Sequence, residues 1–154
     1  MKRRWMMVLL AAALTGAAAQ ATAEQAPMGV SLERPWARAS IGTSRPAAAY
    51  LTIINRGLEP ARLVDITTPL AGRAEVHLTV KTDNVMRMEQ VERLDVPPGG
   101  RVVFEPGGLH IMLLDLRQPL TKGGTLPLTL RFSGGGSIDA SVPVFGPGAR
   151  GPDR

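Results

Sequence analysis

The sequence of 154 residues contains no cysteine, and it has only two histidines and few aromatic residues. Without cysteine, the chain can form neither a disulfide nor the thiolate-ligated site of a blue copper protein. It also shows no Ser-His-Asp order and no paired carboxylates that would suggest a hydrolase or an oxidase. We therefore predict a protein that is not an enzyme, whose fold rests on packing and whose only soft metal ligands are histidine and methionine.

Long hydrophobic runs are also missing, except for one at the beginning of the chain. The basic residues 2-KRR-4 precede the apolar residues 5–19, and the small residues 21-ATA-23 follow. This order is typical of a secretory signal peptide, so residues 1–23 are predicted to be cleaved from an exported chain. No later run approaches the about 18 apolar residues that a membrane helix needs, which predicts no membrane insertion after cleavage.

The excess of positive charge is small once the signal peptide is removed. The whole chain has 18 Lys and Arg against 13 Asp and Glu, a net charge of +5. Loss of 2-KRR-4 leaves 15 basic residues against 13 acidic ones, a net charge of +2. This excess does not favour a nucleic-acid partner. The about 131 remaining residues suffice for one domain with its own core.

The mature sequence does contain many short stretches in which apolar and polar residues alternate, separated by turns rich in Gly, Pro, Asn and Asp. This pattern predicts β-strands and almost no helix. The predicted strands are 29–34, 47–54, 61–66, 74–80, 85–90, 101–105, 109–115, 126–132 and 138–144. They favour an all-β fold, an antiparallel β-sandwich or barrel, over residues 24–145. Trp36 is predicted to pack against this core, and residues 146–154 are predicted to be a disordered tail.

The rare histidines and methionines cluster in one part of the mature chain. Between positions 77 and 112 lie both histidines and three of the four mature methionines: His77, Met86, Met88, His110 and Met112. His110 and Met112 are two residues apart on a predicted strand and so share a face, as do Met86 and Met88. The turn signal at 82–84 predicts a hairpin that brings the strands of His77 and Met88 together.

Two imidazoles and two thioethers in one place predict a particular metal. Thioethers have little affinity for Mg²⁺, Ca²⁺ or Zn²⁺, whereas Cu(I) accepts thioether and imidazole donors together. The residue types alone leave a second interpretation open. Methionine commonly fills gaps in a core, and a histidine on an apolar strand is often a hydrogen-bonded core residue. The protein would then be a metal-free β-sandwich that serves as a binding module.

The spacing of these residues resembles that of a known family. The order is His77, ten residues, Met88, twenty-one residues, His110, one residue and Met112. This order resembles the ligand motif of the periplasmic copper chaperones called PCuAC. The surrounding segments are also similar to that family, among them 35-PWARAS-40, 47-AAAYLTIIN-55 and 106-PGGLHIMLLDL-116. The resemblance covers nearly all of residues 29–145.

The resemblance implies a single cupredoxin-like, Greek-key β-sandwich that binds one Cu(I) ion per chain through His77, Met88, His110 and Met112. It also implies a periplasmic chaperone, predicted to be a monomer, that delivers copper to the binuclear centre of cytochrome c oxidase. The partner would be the copper subunit of the oxidase, a Sco-type thiol protein, or both. Periplasmic copper buffering or tolerance needs the same site and stays open as an alternative. Met86 is assigned a packing role beside the site.

Overall fold

The protein is all-β, as predicted, over the residues that the computed structural model describes, which are 27 and 29–152. The predicted signal peptide, residues 1–23, lies outside this range. The strands are β1 (Val30–Arg38), β2 (Ala47–Asn55), β3 (Ala61–Thr67), β4 (Ala71–Thr82), β5 (Val85–Gln90), β6 (Leu94–Val96), β7 (Arg101–Val103), β8 (Leu109–Leu116), β9 (Thr125–Phe132) and β10 (Ser137–Phe145). The described residues include no helix that is long and apolar enough to span a membrane.

The strands form one sheet that closes into a sandwich-like barrel. Their order is β5-β4-β8-β2-β1-β10-β9-β3-β6, and β7 pairs with β2. The two sides of this sheet meet where Ile66 of β3 pairs with Ala74 of β4. One pair departs from the antiparallel pattern, because β1 and β10 run parallel. Strand β5 lies outside the closed barrel. It pairs with the second half of β4 and extends the sheet there.

The core comes from strands whose alternate residues point inward. In β9, Leu126, Leu128, Leu130 and Phe132 are all buried, whereas most of the residues between them are exposed. Burying such a side chain stabilises the fold by about 1.5–3 kcal/mol. β8 supplies the inward-facing residues Ile111, Leu113 and Leu116 to the same core. The packing therefore determines which face of β8 points into the core. The residues on either side of Ile111, His110 and Met112, lie on the opposite face.

The first strand is longer than the sequence predicts. It continues past Pro35 because the register shifts between Glu33 and Trp36, and Arg34 takes a positive φ of 50° at this bulge. A bulge lets a strand bend and continue with an unpaired residue. Trp36 therefore lies within β1, where it is buried and stacks on Tyr50 with ring centroids 4.4 Å apart.

The end of the chain makes contacts that its composition does not predict. Residues 146–152 lie against the barrel, although their composition predicts a disordered tail. Arg38 Nε donates a hydrogen bond of 2.7 Å to the Ala149 carbonyl oxygen, and Ala149 packs against the core. A long-range contact to one backbone carbonyl holds this segment, and composition does not encode such a contact. Residues 153 and 154 lie outside the described range.

Candidate metal site

A tight hairpin fixes the position of Met88. The two residues between β4 and β5, Asp83 and Asn84, have φ values of 50° and 61°. Positive φ at both central residues is the requirement of a type I′ turn, which Asp and Asn tolerate well. The turn sets the register between the strands and places Met88 directly opposite Thr79. Because side chains two residues apart share a face, Met88 lies on the same face as His77.

The other edge of β4 brings the second histidine to this face. His77 and His110 are direct partners in the β4–β8 ladder, and their ring centroids lie 6.0 Å apart with a 38° angle between the rings. Met112 lies two residues beyond His110 and pairs with Glu75. The three adjacent strands β5, β4 and β8 therefore place all four predicted ligands on one face, as the strand pattern predicted for His110 and Met112.

Hydrogen bonds fix the tautomer of each histidine. His110 Nδ1 lies 3.1 Å from the Gly108 carbonyl oxygen, so Nδ1 carries the proton and donates it. His77 Nε2 lies 3.0 Å from Glu75 Oε2, and a carboxylate can only accept. In the neutral form of each ring, His110 Nε2 and His77 Nδ1 are the nitrogens that keep a free lone pair. Orientation of one ring nitrogen through the other is a general feature of metal-binding histidines.

These two lone-pair nitrogens are unusual atoms in this fold. Across residues 27 and 29–152, the buried side-chain nitrogen and oxygen atoms without a hydrogen-bond partner are His77 Nδ1 and His110 Nε2. Leaving a buried polar atom unpaired costs about 1–3 kcal/mol. Both unpaired atoms belong to the imidazole pair at the centre of the predicted ligand set. A soft metal ion would give each of them a partner.

The four predicted ligands differ in their access to solvent. His110 is 5% exposed, the His77 side chain is 15% exposed, and Met88 is 59% exposed. Met88, His110 and Met112 line an open cleft of about 260 Å³, together with Tyr50 and Thr79. The arrangement thus has a buried nitrogen side and one exposed sulfur ligand, Met88, whereas Met112 is half-buried. A larger cleft, about 520 Å³, lies near Asn55 and Leu58, and its lining includes none of the four.

A cationic and aromatic stack borders the cleft. The Arg38 guanidinium lies 5.9 Å from the ring centroid of Trp36 and 5.6 Å from that of Tyr50, within the range of cation–π attraction. Burial raises the pKa of Tyr50 above its usual value of 10.0, and the positive charge of Arg38 opposes this shift. The phenol is therefore neutral at physiological pH, so the cleft gains no anionic oxygen from Tyr50.

Two residues that the sequence pattern did not single out orient the imidazoles. Glu75 and Gly108 each precede their histidine by two residues, and each accepts the hydrogen bond that fixes the ring. The spacing of two on a strand was the available signal for Glu75, because such neighbours share a face. Gly108 acts through its carbonyl oxygen, which also accepts the Thr79 N–H at 3.2 Å. A backbone contact of this kind leaves no mark in residue type.

Residues 30–144 match the protein family described as "Putative lipoprotein LpqE-like". The chain belongs to this family, which is of the PCuAC type. A relative of this LpqE-like chain is the Leifsonia xyli subsp. xyli protein named "Putative lipoprotein Lxx21020". The two are 34% identical over 129 residues, which cover 83% of this chain and 76% of the relative.

Two solved structures extend the family relationship to the fold. The apo PmoF2 PCuAC domain has 25% identity and a TM-score of 0.66, and the match covers 80% of this LpqE-like chain and 94% of that domain. The solution structure of CuI-DR1885 from Deinococcus radiodurans has 29% identity and a TM-score of 0.61, covering 82% of this chain and 85% of that one. These similarities confirm the predicted cupredoxin-like β-sandwich.

Proposed function

We propose that this LpqE-like protein binds one Cu(I) ion through His77, Met88, His110 and Met112 and acts as a copper chaperone in the periplasm. The observation that carries the proposal is the pair of buried, unpaired imidazole nitrogens on a face that also holds two thioethers. The copper(I) form of the similar DR1885 protein supports the choice of metal. The lipoprotein description of the family and the predicted signal peptide support export.

The donor set selects Cu(I) over other metal ions. Thioether is a soft neutral ligand and imidazole a neutral ligand of intermediate softness, so the set suits the soft, monovalent Cu(I), whereas its two thioethers bind Mg²⁺, Ca²⁺ or Zn²⁺ poorly. Four neutral donors leave the ion with its +1 charge. The Glu75 carboxylate, which accepts the hydrogen bond from His77, is also paired with Arg73 Nη1 at 2.8 Å, so the Arg73 guanidinium offsets its negative charge. Because the set has no thiolate, it cannot be lost to disulfide formation in an oxidising compartment.

The gradient of exposure suggests how copper is passed on. His77 and His110 are largely buried and held by hydrogen bonds, so they act as the anchors. Met88 is exposed on an outer strand, so it is the donor that an incoming ligand meets first. A thiolate of a recipient protein can replace this thioether while the imidazoles still hold the ion. Transfer then proceeds through shared coordination without a large change in the fold.

Replacing Met88 by leucine is expected to lower the Cu(I) affinity by at least about tenfold, because one of the four donors is lost. The matched control is Met86→Leu, which makes the same chemical change on the same strand at a side chain that is also 59% exposed. We expect the control to keep wild-type affinity. A competition titration against a Cu(I) chelator under reducing conditions measures both variants.

Equal losses in these two variants would contradict the assignment of Met88 as the β5 ligand. Loss in Met86→Leu alone would move that role to Met86. Leucine keeps a similar volume and apolar character, so the comparison isolates the sulfur atom.

We further propose that copper is delivered toward the binuclear copper centre of cytochrome c oxidase, directly or through a Sco-type thiol protein. A strain that lacks the gene is then expected to lose oxidase activity at limiting copper and to regain it when copper is added. Oxidase activity and growth at raised copper are the two measurements. Unchanged oxidase activity with increased copper sensitivity would instead assign the protein to copper buffering or tolerance.

A further inference from the structure

The outer strand β5 has an unpaired edge beside the proposed copper site. It pairs with β4 on one side, and no strand in the described part of the chain lies on its other side. All six of its residues are exposed, including Val85, Met86 and Met88 at 52%, 59% and 59%. An exposed edge strand with apolar side chains is a ready template for pairing with another strand.

The pairing with β4 determines which backbone groups of β5 point outward. Val91 N–H donates to the Val76 carbonyl oxygen at 2.8 Å, which makes this a hydrogen-bonded pair at the end of the ladder. Bonded and non-bonded pairs alternate along an antiparallel ladder. Thr79 and Met88 therefore form a pair without backbone hydrogen bonds between them. In agreement with this, Thr79 N–H points away from β5 and donates to the Gly108 carbonyl oxygen next to β8. The residues of β5 whose N–H and C=O groups point outward are Met86, Met88 and Gln90.

The charged side chains beside Met88 are complementary to those of a second, antiparallel copy of β5. Arg87 and Glu89 flank Met88 and are both exposed. If a second β5 lies antiparallel to the first with Met88 opposite Met88, each Arg87 lies opposite Glu89 of the other copy. Opposite charges that face each other across a strand pair attract, and like charges repel. The outward backbone groups of Met88 then form the hydrogen-bonded pair at the centre.

We propose that β5 pairs with β5 of a second copy of this chain and forms an antiparallel dimer centred on Met88. The two-fold axis runs perpendicular to the sheet, so both copies turn the same face to the same side. The α-carbon atoms of the two Met88 residues lie about 5.5 Å apart in such a pair. Each thioether is then within reach of the neighbouring site. That last consequence rests on the proposed function, whereas the dimer itself does not.

The edge is short, with six residues, so the dimer is weak. Interfaces below about 1,200 Å² in total are typical of transient complexes. We expect dissociation constants between about 1 μM and about 1 mM, with the predicted monomer as the dilute state. A weak dimer leaves the edge and Met88 accessible to other proteins at low concentration.

Charge exchange at the edge tests the dimer in copper-free protein. Sedimentation velocity over a concentration series up to about 1 mM measures the monomer–dimer equilibrium. Arg87→Glu places acidic residues opposite each other, and Glu89→Arg places basic residues opposite each other. We expect each variant alone to raise the dissociation constant by at least about tenfold. An equimolar mixture of the two, and the double variant R87E/E89R, are expected to regain the wild-type value.

The outcome of this experiment is decisive in both directions. Monomeric wild-type protein over the whole series would overturn the proposal, and so would a dimer that is indifferent to both single changes. Failure of the mixture to recover would reject the antiparallel register. Because copper is absent, these outcomes do not depend on the ligand assignment. Met88→Leu keeps the outward backbone groups and both charges, so it is expected to lose copper affinity and keep the dimer.

Discussion

Replacing His110 by phenylalanine is expected to lower the Cu(I) affinity by at least about tenfold, with a greater loss than for any methionine of the site. His110 is 5% exposed and contributes the lone pair of Nε2, which has no hydrogen-bond partner within the protein. Phenylalanine keeps a flat ring in this space but has no donor atom. The ion would lose one of its two anchors.

The fold is expected to survive this change. Phenylalanine removes a buried, unpaired nitrogen, which is itself a cost to the copper-free protein. The Gly108 carbonyl oxygen loses the imidazole donor but keeps the Thr79 N–H. Circular dichroism and thermal unfolding of the copper-free variant check this point. The affinity is measured by competition with a Cu(I) chelator under reducing conditions.

Tyr50→Phe is the matched control, because Tyr50 lines the same cleft and has no assigned role as a ligand. We expect this control to bind Cu(I) with wild-type affinity. If His110→Phe also retained wild-type affinity, the proposed site would be wrong. If both variants lost affinity equally, the loss could not be assigned to the imidazole donor of His110. It would then reflect a general effect of the polar groups that line the cleft.

Replacing Ile111 by alanine is expected to lower the free energy of unfolding by about 3 kcal/mol while changing copper affinity little. Ile111 is 0% exposed and lies between His110 and Met112, with its side chain in the core. The change removes buried methyl and methylene groups and leaves a cavity. Urea unfolding of the copper-free protein measures the loss, and the chelator competition is repeated on the folded variant.

The control for this prediction is Ile41→Ala, the same chemical change at a side chain that is 70% exposed. We expect it to alter the free energy of unfolding by less than about 0.5 kcal/mol. A loss of copper affinity in folded Ile111→Ala as large as that in His110→Phe would contradict the division of β8 into a packing face and a binding face. A negligible loss of stability would contradict the assignment of Ile111 to the core.

The sequence was sufficient to predict most strands and the faces of the candidate ligands. Alternation with a period of two identifies both from residue order alone, as in β8 and β9. It was not sufficient for β6, because three residues, Leu94–Val96, are too short to show a period. The sequence pattern also predicts that β1 ends before Pro35. The strand continues because of a bulge, and this bulge depends on pairing with β2.

The least predictable parts of the candidate site are those that depend on contacts across the sheet. Same-face placement of His110 with Met112 follows from their spacing, but the direct pairing of His77 with His110 follows from the register of β4 with β8. The tautomer of each ring depends on Glu75 and on a backbone carbonyl oxygen. The burial of the two unpaired nitrogens is a property of the closed barrel, which no local pattern encodes.

The two-residue turn at Asp83 and Asn84 gives a structural meaning to the ten residues that separate His77 from Met88. With this turn, Met88 pairs with Thr79 across the hairpin. Thr79 is two residues from His77, so Met88 lies on the face of His77. If the turn keeps its two residues, one residue added or removed between the turn and Met88 would shift the register by one and reverse the face of Met88. The thioether would then project from the opposite side of the sheet. The spacing between these two ligands is therefore a length constraint imposed by the two-residue turn, and one added residue is compatible with the site only where the loop itself absorbs it.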